Sequence, residues 1–279
     1  MGDDSTAYFV AAWAGGVFVY WDILRNSLIL VEERQTMART FVIGDIHGGF
    51  RALEQVMSRV GVKPDDRLIF LGDYVDGWSQ SAQVIEYLME LENQYACVFI
   101  LGNHDAWCEE WLSGWGADPD WLFHGGRATV ESYAGVGAEQ RERHLVFFNR
   151  MRPYYEDEHR RLFIHAGFSS MHGPVKEHHR SNYFWDRTLW EIALAADKRI
   201  SRKSLFYPKR LLLYDEIFIG HTPTTNYDVD TPMHKCNVWN VDTGAAFLGR
   251  ISVMDIDTKQ YWQSDVVQEF YPDEKGRNK

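Results

Sequence analysis

Carboxylate, imidazole and amide side chains recur in this chain at the ends of short apolar runs, and metal-assisted hydrolysis is the chemistry they suit. Thr40–Ile43 leads into Gly44-Asp45-Ile46-His47-Gly48-Gly49, residues 67–71 into Gly72-Asp73-Tyr74-Val75-Asp76, and residues 97–101 into Gly102-Asn103-His104-Asp105. Residues 162–164 lead to His165-Ala166-Gly167, and residues 217–219 to Gly220-His221-Thr222-Pro223. Hard and borderline divalent ions take oxygen and imidazole ligands. Asp45 and His47, two apart in a glycine-rich turn, can point into one pocket. A carboxylate at Asp73 can bridge two ions about 3.5–4 Å apart, the spacing of two-metal hydrolases. Asn103, His165 and His221 would then hold the second ion. Any one such motif reads as a turn or a helix cap; five in series do not.

The elements that must position these residues are legible around them. Short continuous apolar runs bounded by glycine suit strands buried on both faces. Leu53, Val56, Met57 and Val60 recur at helical spacing with Gly61 as a stop, and Val84, Ile85, Leu88 and Leu91 form a second apolar helix face. Strands alternating with helices predict a layered α/β architecture, in which ligands gather beyond the carboxyl ends of the strands. Further strands are expected at residues 237–241, 250–256 and 260–263, and a helix at residues 185–197. The polar tail, residues 272–279, is expected to fray.

Composition narrows the function. The 279 residues carry a net charge of -11, which argues against non-specific nucleic-acid binding, since that affinity rests on basic residues. An acidic protein that binds an anion needs local positive charge, and metal ions supply it. The three cysteines, Cys97, Cys108 and Cys236, form no paired framework, so a cytoplasmic setting is expected. Residues 7–20 are largely apolar but fall short of the roughly 20 residues that span a bilayer. No Lys or Arg precedes them, unlike a secretory signal. Residues 1–36 are expected to be a non-essential extension, and residues 37–279 a single catalytic domain.

The series Gly-Asp-x-His-Gly, Gly-Asp-x-x-Asp, Gly-Asn-His-Asp, His-Ala-Gly and Gly-His-Thr resembles the phosphoprotein phosphatase branch of the calcineurin-like metallophosphoesterases. Within it, the chain is similar to bacterial and phage serine/threonine phosphatases and to symmetrical diadenosine tetraphosphatases. The likeness runs from about Arg39 to Asp265 and takes in Asn240-Val241-Asp242-Thr243-Gly244. It implies a β-sandwich flanked by helices in four layers, α/β/β/α. It implies that Asp45, His47 and Asp73 hold one metal, and Asp73, Asn103, His165 and His221 the other. His104 would be the general acid, oriented by Asp76, and a hydroxide bridging the two metals would attack phosphorus in line. Manganese is the foremost candidate, with iron or zinc also suiting these ligands.

Two departures stand out. Where the family pattern continues Arg-Gly after the second motif's final aspartate, this chain has Gly77-Trp78, so one arginine that grips substrate phosphate is missing. Arg187, in Trp185-Asp186-Arg187, resembles the family's second phosphate-binding arginine, and Asn103 would also face the phosphate. Arg51, Arg180 and the His178-His179 pair read as solvent-facing. His124, His144, His159, His172 and His234 are expected on surfaces or loops. Trp107, Trp111, Trp115 and Trp121 suit core packing, or a nucleobase at the pocket mouth. Asp105, where eukaryotic phosphatases carry glutamate, points to the bacterial branch.

The expected activity is hydrolysis of phosphate monoesters, with phosphoserine and phosphothreonine as the substrate class and a monomeric enzyme. Symmetrical hydrolysis of a dinucleoside tetraphosphate is the enzymatic alternative. A non-catalytic, metal-dependent phosphoprotein-binding module is the third reading, motivated by Gly77.

Overall fold

Each apolar run that leads into a polar motif is a strand in the computed structural model, which describes residues 38–278. The expectation placed on residues 1–36 lies outside the described residues. The strands are β1 (Thr40–Ile43), β2 (Arg67–Phe70), β3 (Ala96–Phe99), β4 (Tyr154–Glu156), β5 (Arg161–Ile164), β6 (Glu216–Ile219), β7 (Met233–Lys235), β8 (Val238–Asn240), β9 (Ser252–Asp255) and β10 (Tyr261–Gln263). The helices are α1 (Phe50–Val60), α2 (Ser81–Glu92), α3 (Asn103–Glu110), α4 (Pro119–Trp121), α5 (Arg127–Ser132), α6 (Ala138–Asn149), α7 (Asn182–Trp185), α8 (Thr188–Ala195) and α9 (Val267–Phe270).

Two five-stranded mixed sheets result, ordered β10-β9-β1-β2-β3 and β4-β5-β6-β8-β7. β1, β2 and β3 run parallel, as do β5, β6 and β8, while β4, β7, β9 and β10 pair antiparallel. Val42, Ile69 and Met254 of the first sheet pack with Phe163 and Phe218 of the second in one fully buried cluster. The two phenyl rings stack at 5.0 Å. On the outer face of the first sheet, α1 and α2 bury Leu53, Val56, Val84, Ile85 and Leu88. On the outer face of the second, α8 buries Leu189, Trp190 and Ala193. Each fully buried large apolar side chain contributes roughly 1.5–3 kcal/mol relative to exposure. The expected α/β/β/α sandwich is therefore present.

Some local expectations shift. The helix expected at residues 185–197 begins at Thr188, because Asp186 caps it: its carboxylate accepts from the backbone N–H of Thr188 (3.2 Å) and Leu189 (3.1 Å). Arg187 is left in the turn before α8. His144 is not at the surface. It is buried on α6, hydrogen-bonded to the Tyr133 hydroxyl and to Glu86, each at 2.8 Å. Residues 272–278 are not frayed, because side chains from the segment after β2 pin them. No described helix is long and apolar enough to cross a membrane.

Candidate metal centre and active site

The carboxyl ends of β1, β2, β3, β5 and β6 point at one place, and the side chains that follow them meet there. Asp45, His47, Asp73, Asn103, His104, His165 and His221 are all buried. Asp73 is central. Its Oδ2 lies 3.6 Å from His47 Nε2 and 3.4 Å from His165 Nε2, and its Oδ1 accepts from the His104 backbone N–H at 3.0 Å. Asp45 Oδ2 is 3.8 Å from His47 Nε2. Asn103 Oδ1 sits 2.9 Å from His221 Nδ1 and 3.3 Å from His165 Nε2. Two triads of convergent donors share Asp73: His47, Asp73 and His104, and Asp73, His165 and His221. They are consistent with a dinuclear metal site. The first triad takes in His104 where sequence reading had put Asp45; Asp45 stands beside it.

Tautomers and protonation fit the same purpose. His165 Nδ1 lies 2.8 Å from the Leu71 carbonyl and donates to it, which turns Nε2 toward Asp73. Burial holds His47 and His221 well below the ordinary imidazole range, so both are neutral and can offer a lone pair. His47 turns Nε2 toward Asp45 and Asp73, and His221 turns Nδ1 toward Asn103 Oδ1. These are the atoms that can reach a metal; the opposite nitrogens, His47 Nδ1 and His221 Nε2, are buried with no hydrogen-bond partner among the described residues. Burial, Asp242 and Asp73 push Asp45 well above the usual carboxylate range. That concentration of buried negative charge calls for a cation.

Backbone strain is concentrated here. His47, Asp73, Asp76 and His221 adopt left-handed φ of 54°, 54°, 74° and 68°, which costs a non-glycine residue on the order of 1–3 kcal/mol. Asp105 helps to hold one of these turns. Its carboxylate accepts from the backbone N–H of Gly102 (2.9 Å), Asp73 (2.7 Å) and Tyr74 (2.8 Å), tying the end of β2 to the start of α3.

His104 Nδ1 lies 2.6 Å from Asp76 Oδ2, and its other ring nitrogen makes no hydrogen bond to a described residue. Two residues that sequence reading did not connect to Asp76 complete the support. Trp121 Nε1 donates to Asp76 Oδ2 and the Thr129 hydroxyl to Asp76 Oδ1, both at 2.6 Å. No spacing rule links positions 45 and 53 residues apart.

A cleft of about 150 Å³ opens over this floor. Asp73, Asn103, His104, Arg187 and His221 line it. Trp107, His124, Trp185 and Arg277 line it too. His124 is exposed, as expected, and its ring stacks toward Trp107 at 6.2 Å, while Trp185 meets the same indole edge-on at 5.0 Å. Of the other tryptophans, Trp121 is buried and Trp111 packs against it at 5.7 Å, whereas Trp115 is exposed. Arg51 is engaged elsewhere, donating to the Phe270 carbonyl at 2.8 Å.

A two-sheet sandwich with paired His/Asp triads at its strand ends is the arrangement of a metal-dependent phosphoesterase. Residues 38–243 match the family of calcineurin-like phosphoesterases, and the chain belongs to it. A bis(5'-nucleosyl)-tetraphosphatase PrpE [asymmetrical] from Bacillus cereus (strain Q1) is 26% identical over 234 residues, covering 76% of this chain and 87% of its own. Its namesake from Anoxybacillus flavithermus (strain DSM 21510 / WK1) is 25% identical over 229 residues, covering 76% and 88%. Among solved structures, a protein serine/threonine phosphatase from Saccharomyces cerevisiae, with similarity to human phosphatase PP5, aligns with a TM-score of 0.58 at 14% identity, covering 87% of this chain and 84% of that one. That likeness is one of fold.

Proposed function

We propose that the chain hydrolyses phosphate monoesters, with phosphoserine and phosphothreonine in proteins as its substrate class. In this reading Asp45, His47 and Asp73 hold one divalent ion, and Asp73, Asn103, His165 and His221 the other, with manganese foremost. Two such ions, when bound, polarise phosphoryl oxygens and make water a nucleophile near neutral pH. The chain's own part is to orient the phosphate over Asn103 and Arg187 and to deliver a proton. His104 donates it to the departing alkoxide, and Asp76 keeps the imidazole aimed.

The observation that carries this reading is the Asp76–His104 pair, 2.6 Å apart, whose imidazole lines a cleft of about 150 Å³. That is below the roughly 300–1,000 Å³ of pockets that enclose drug-sized ligands. It suits one phosphoryl group, with the rest of the substrate outside.

Cleavage of a dinucleoside tetraphosphate is the second reading. The wall of Trp107, His124 and Trp185 favours it, because aromatic faces stack on bases. The PrpE relatives are named for asymmetrical cleavage, so this alternative now takes the asymmetrical form in place of the symmetrical one.

Metal-replete protein should be assayed side by side on p-nitrophenyl phosphate, a phosphopeptide and diadenosine tetraphosphate. Faster turnover of the phosphopeptide supports the first reading, and faster turnover of the dinucleotide supports the second. Inertness toward all three in the presence of manganese would overturn both. His104→Asn should lower kcat by about 10²–10⁴ with metal content unchanged.

A further inference from the structure

The arginine missing after the second motif is offset from the far end of the chain. Gly77 has φ +99°, a conformation that disfavours any side chain at this position. A Cβ placed on Gly77 would lie 3.4 Å from Arg277 Cγ, and one on Gly125 would lie 3.1 Å from the same atom. The aliphatic stem of Arg277 therefore runs between these two glycines, over the space a residue-77 side chain would enter. Arg277 lines the cleft with His104, Asn103 and Arg187, and its Cζ lies 5.3 Å from the Phe247 ring centroid. There it lies in the field of Asp73, Asp76, Asp242 and Asp45, with no hydrogen bond from its guanidinium to a described residue. A part-buried guanidinium with its donors uncommitted is a recognition group for an anion.

The segment that carries Arg277 is held by the residues that follow Gly77. The Trp78 indole stacks on Tyr271 at 5.4 Å and donates to the Ala245 carbonyl at 2.7 Å. Gly276 packs on that indole so closely that a Cβ would come within 2.6 Å of Trp78 Cζ2. Ser79 donates to Glu274 from its N–H (2.9 Å) and its hydroxyl (2.6 Å), and the Arg277 N–H donates to the Ala246 carbonyl at 2.8 Å. Gly77-Trp78 is thus half of a device: the glycine clears the path, and the tryptophan docks the tail.

We propose that Arg277 is a substrate-phosphate clamp, working opposite Arg187 in the cleft. The inference rests on the phosphoesterase reading of the site and adds the residue that completes its anion recognition. It also removes the one motive for a non-catalytic module, the gap at Gly77.

Inorganic phosphate binding to the manganese-loaded full chain, measured by calorimetry, tests it without requiring turnover. Arg277→Met keeps the stem between the glycines and deletes the charge; it should weaken phosphate binding about 10–100-fold, the worth of one or two charge-assisted hydrogen bonds. Arg277→Lys should lose less. Millimolar guanidinium should partly restore p-nitrophenyl phosphate turnover to Arg277→Met and leave wild type unaffected. Equal phosphate affinity in wild type and in a folded Arg277→Met, or no phosphate binding by wild type, would overturn the clamp. Phosphate binding that depends on Arg277 in a protein that turns over no ester would keep the clamp and sink the hydrolytic reading.

Discussion

Asp76 Oδ2 accepts from both His104 Nδ1 and Trp121 Nε1 at 2.6 Å, and all three side chains are shut away from solvent. Asp76 thus has one defined position, and the His104 ring is turned with it. Asp76→Asn should keep the shape but present an amide to the imidazole. We expect kcat to fall by about 10²–10⁴ with little change in KM or bound metal. A drop in KM or metal content of similar size would mean that Asp76 acts through the metal centre instead.

Thr129 supports the same carboxylate from the other side, through Asp76 Oδ1. Thr129→Val leaves a buried acceptor without its donor, which costs about 1–3 kcal/mol. The urea midpoint should shift accordingly, and kcat should fall while KM holds. Unchanged kcat in this variant would show that His104 tolerates movement of Asp76.

The buried acids make metal binding and stability interdependent. Burial and Asp73 push Asp242 up to about 6, against a hydrogen bond from Gly244, and Asp45 is raised as well. A carboxyl group with a raised folded pKa favours the native state while protonated. That contribution is complete below about pH 4, the ordinary unfolded value, and is lost as pH rises through about 6 and beyond. His47 and His221, held low by burial, act in the opposite sense, their contribution being lost as pH falls below about 6.5. A metal needs ionised carboxylates and neutral imidazoles, so added manganese should raise Tm more at about pH 7.5 than at about pH 5. A Tm indifferent to manganese at both values would contradict this.

The aromatic wall separates the two substrate readings. Base stacking is worth about 1–3 kcal/mol, so Trp185→Ala should raise KM for diadenosine tetraphosphate about 5–100-fold if a nucleobase lies there. KM for p-nitrophenyl phosphate should stay within about twofold, since that substrate has no base to stack. Equal effects on both would assign Trp185 to shaping the phosphate cleft.

How much of this could be read from residues alone depended on distance along the chain. Asp45, His47, Asp73, Asn103, His165 and His221 were visible because they follow five apolar runs, and a parallel sheet delivers such ends to one edge. α1 was visible because Leu53, Val56, Met57 and Val60 keep its period. Trp121, Thr129 and Arg277 were not, because their relation to Asp76 and Gly77 is made only by packing across 45, 53 and 200 positions, where no periodicity survives. β4 and β7, three residues each, are too short to carry an alternation. His144 did leave a trace, since it stands three and four residues before Phe147 and Phe148 on one helix face, and all three are buried.

Asp73 belongs to the first sheet's edge and His165 to the second's, yet they stand 3.4 Å apart. The donors divide along the chain as well: Asp45, His47, Asp73, Asn103 and His104 precede Gly137, while His165 and His221 follow it. The loop holding Gly135 and Gly137 has open space around both glycines. A polypeptide interrupted there would leave each piece with an incomplete set of ligands. Turnover regained on mixing the pieces would then report, as an optical signal, that the two had reassembled, which makes this fold a ready split-protein sensor.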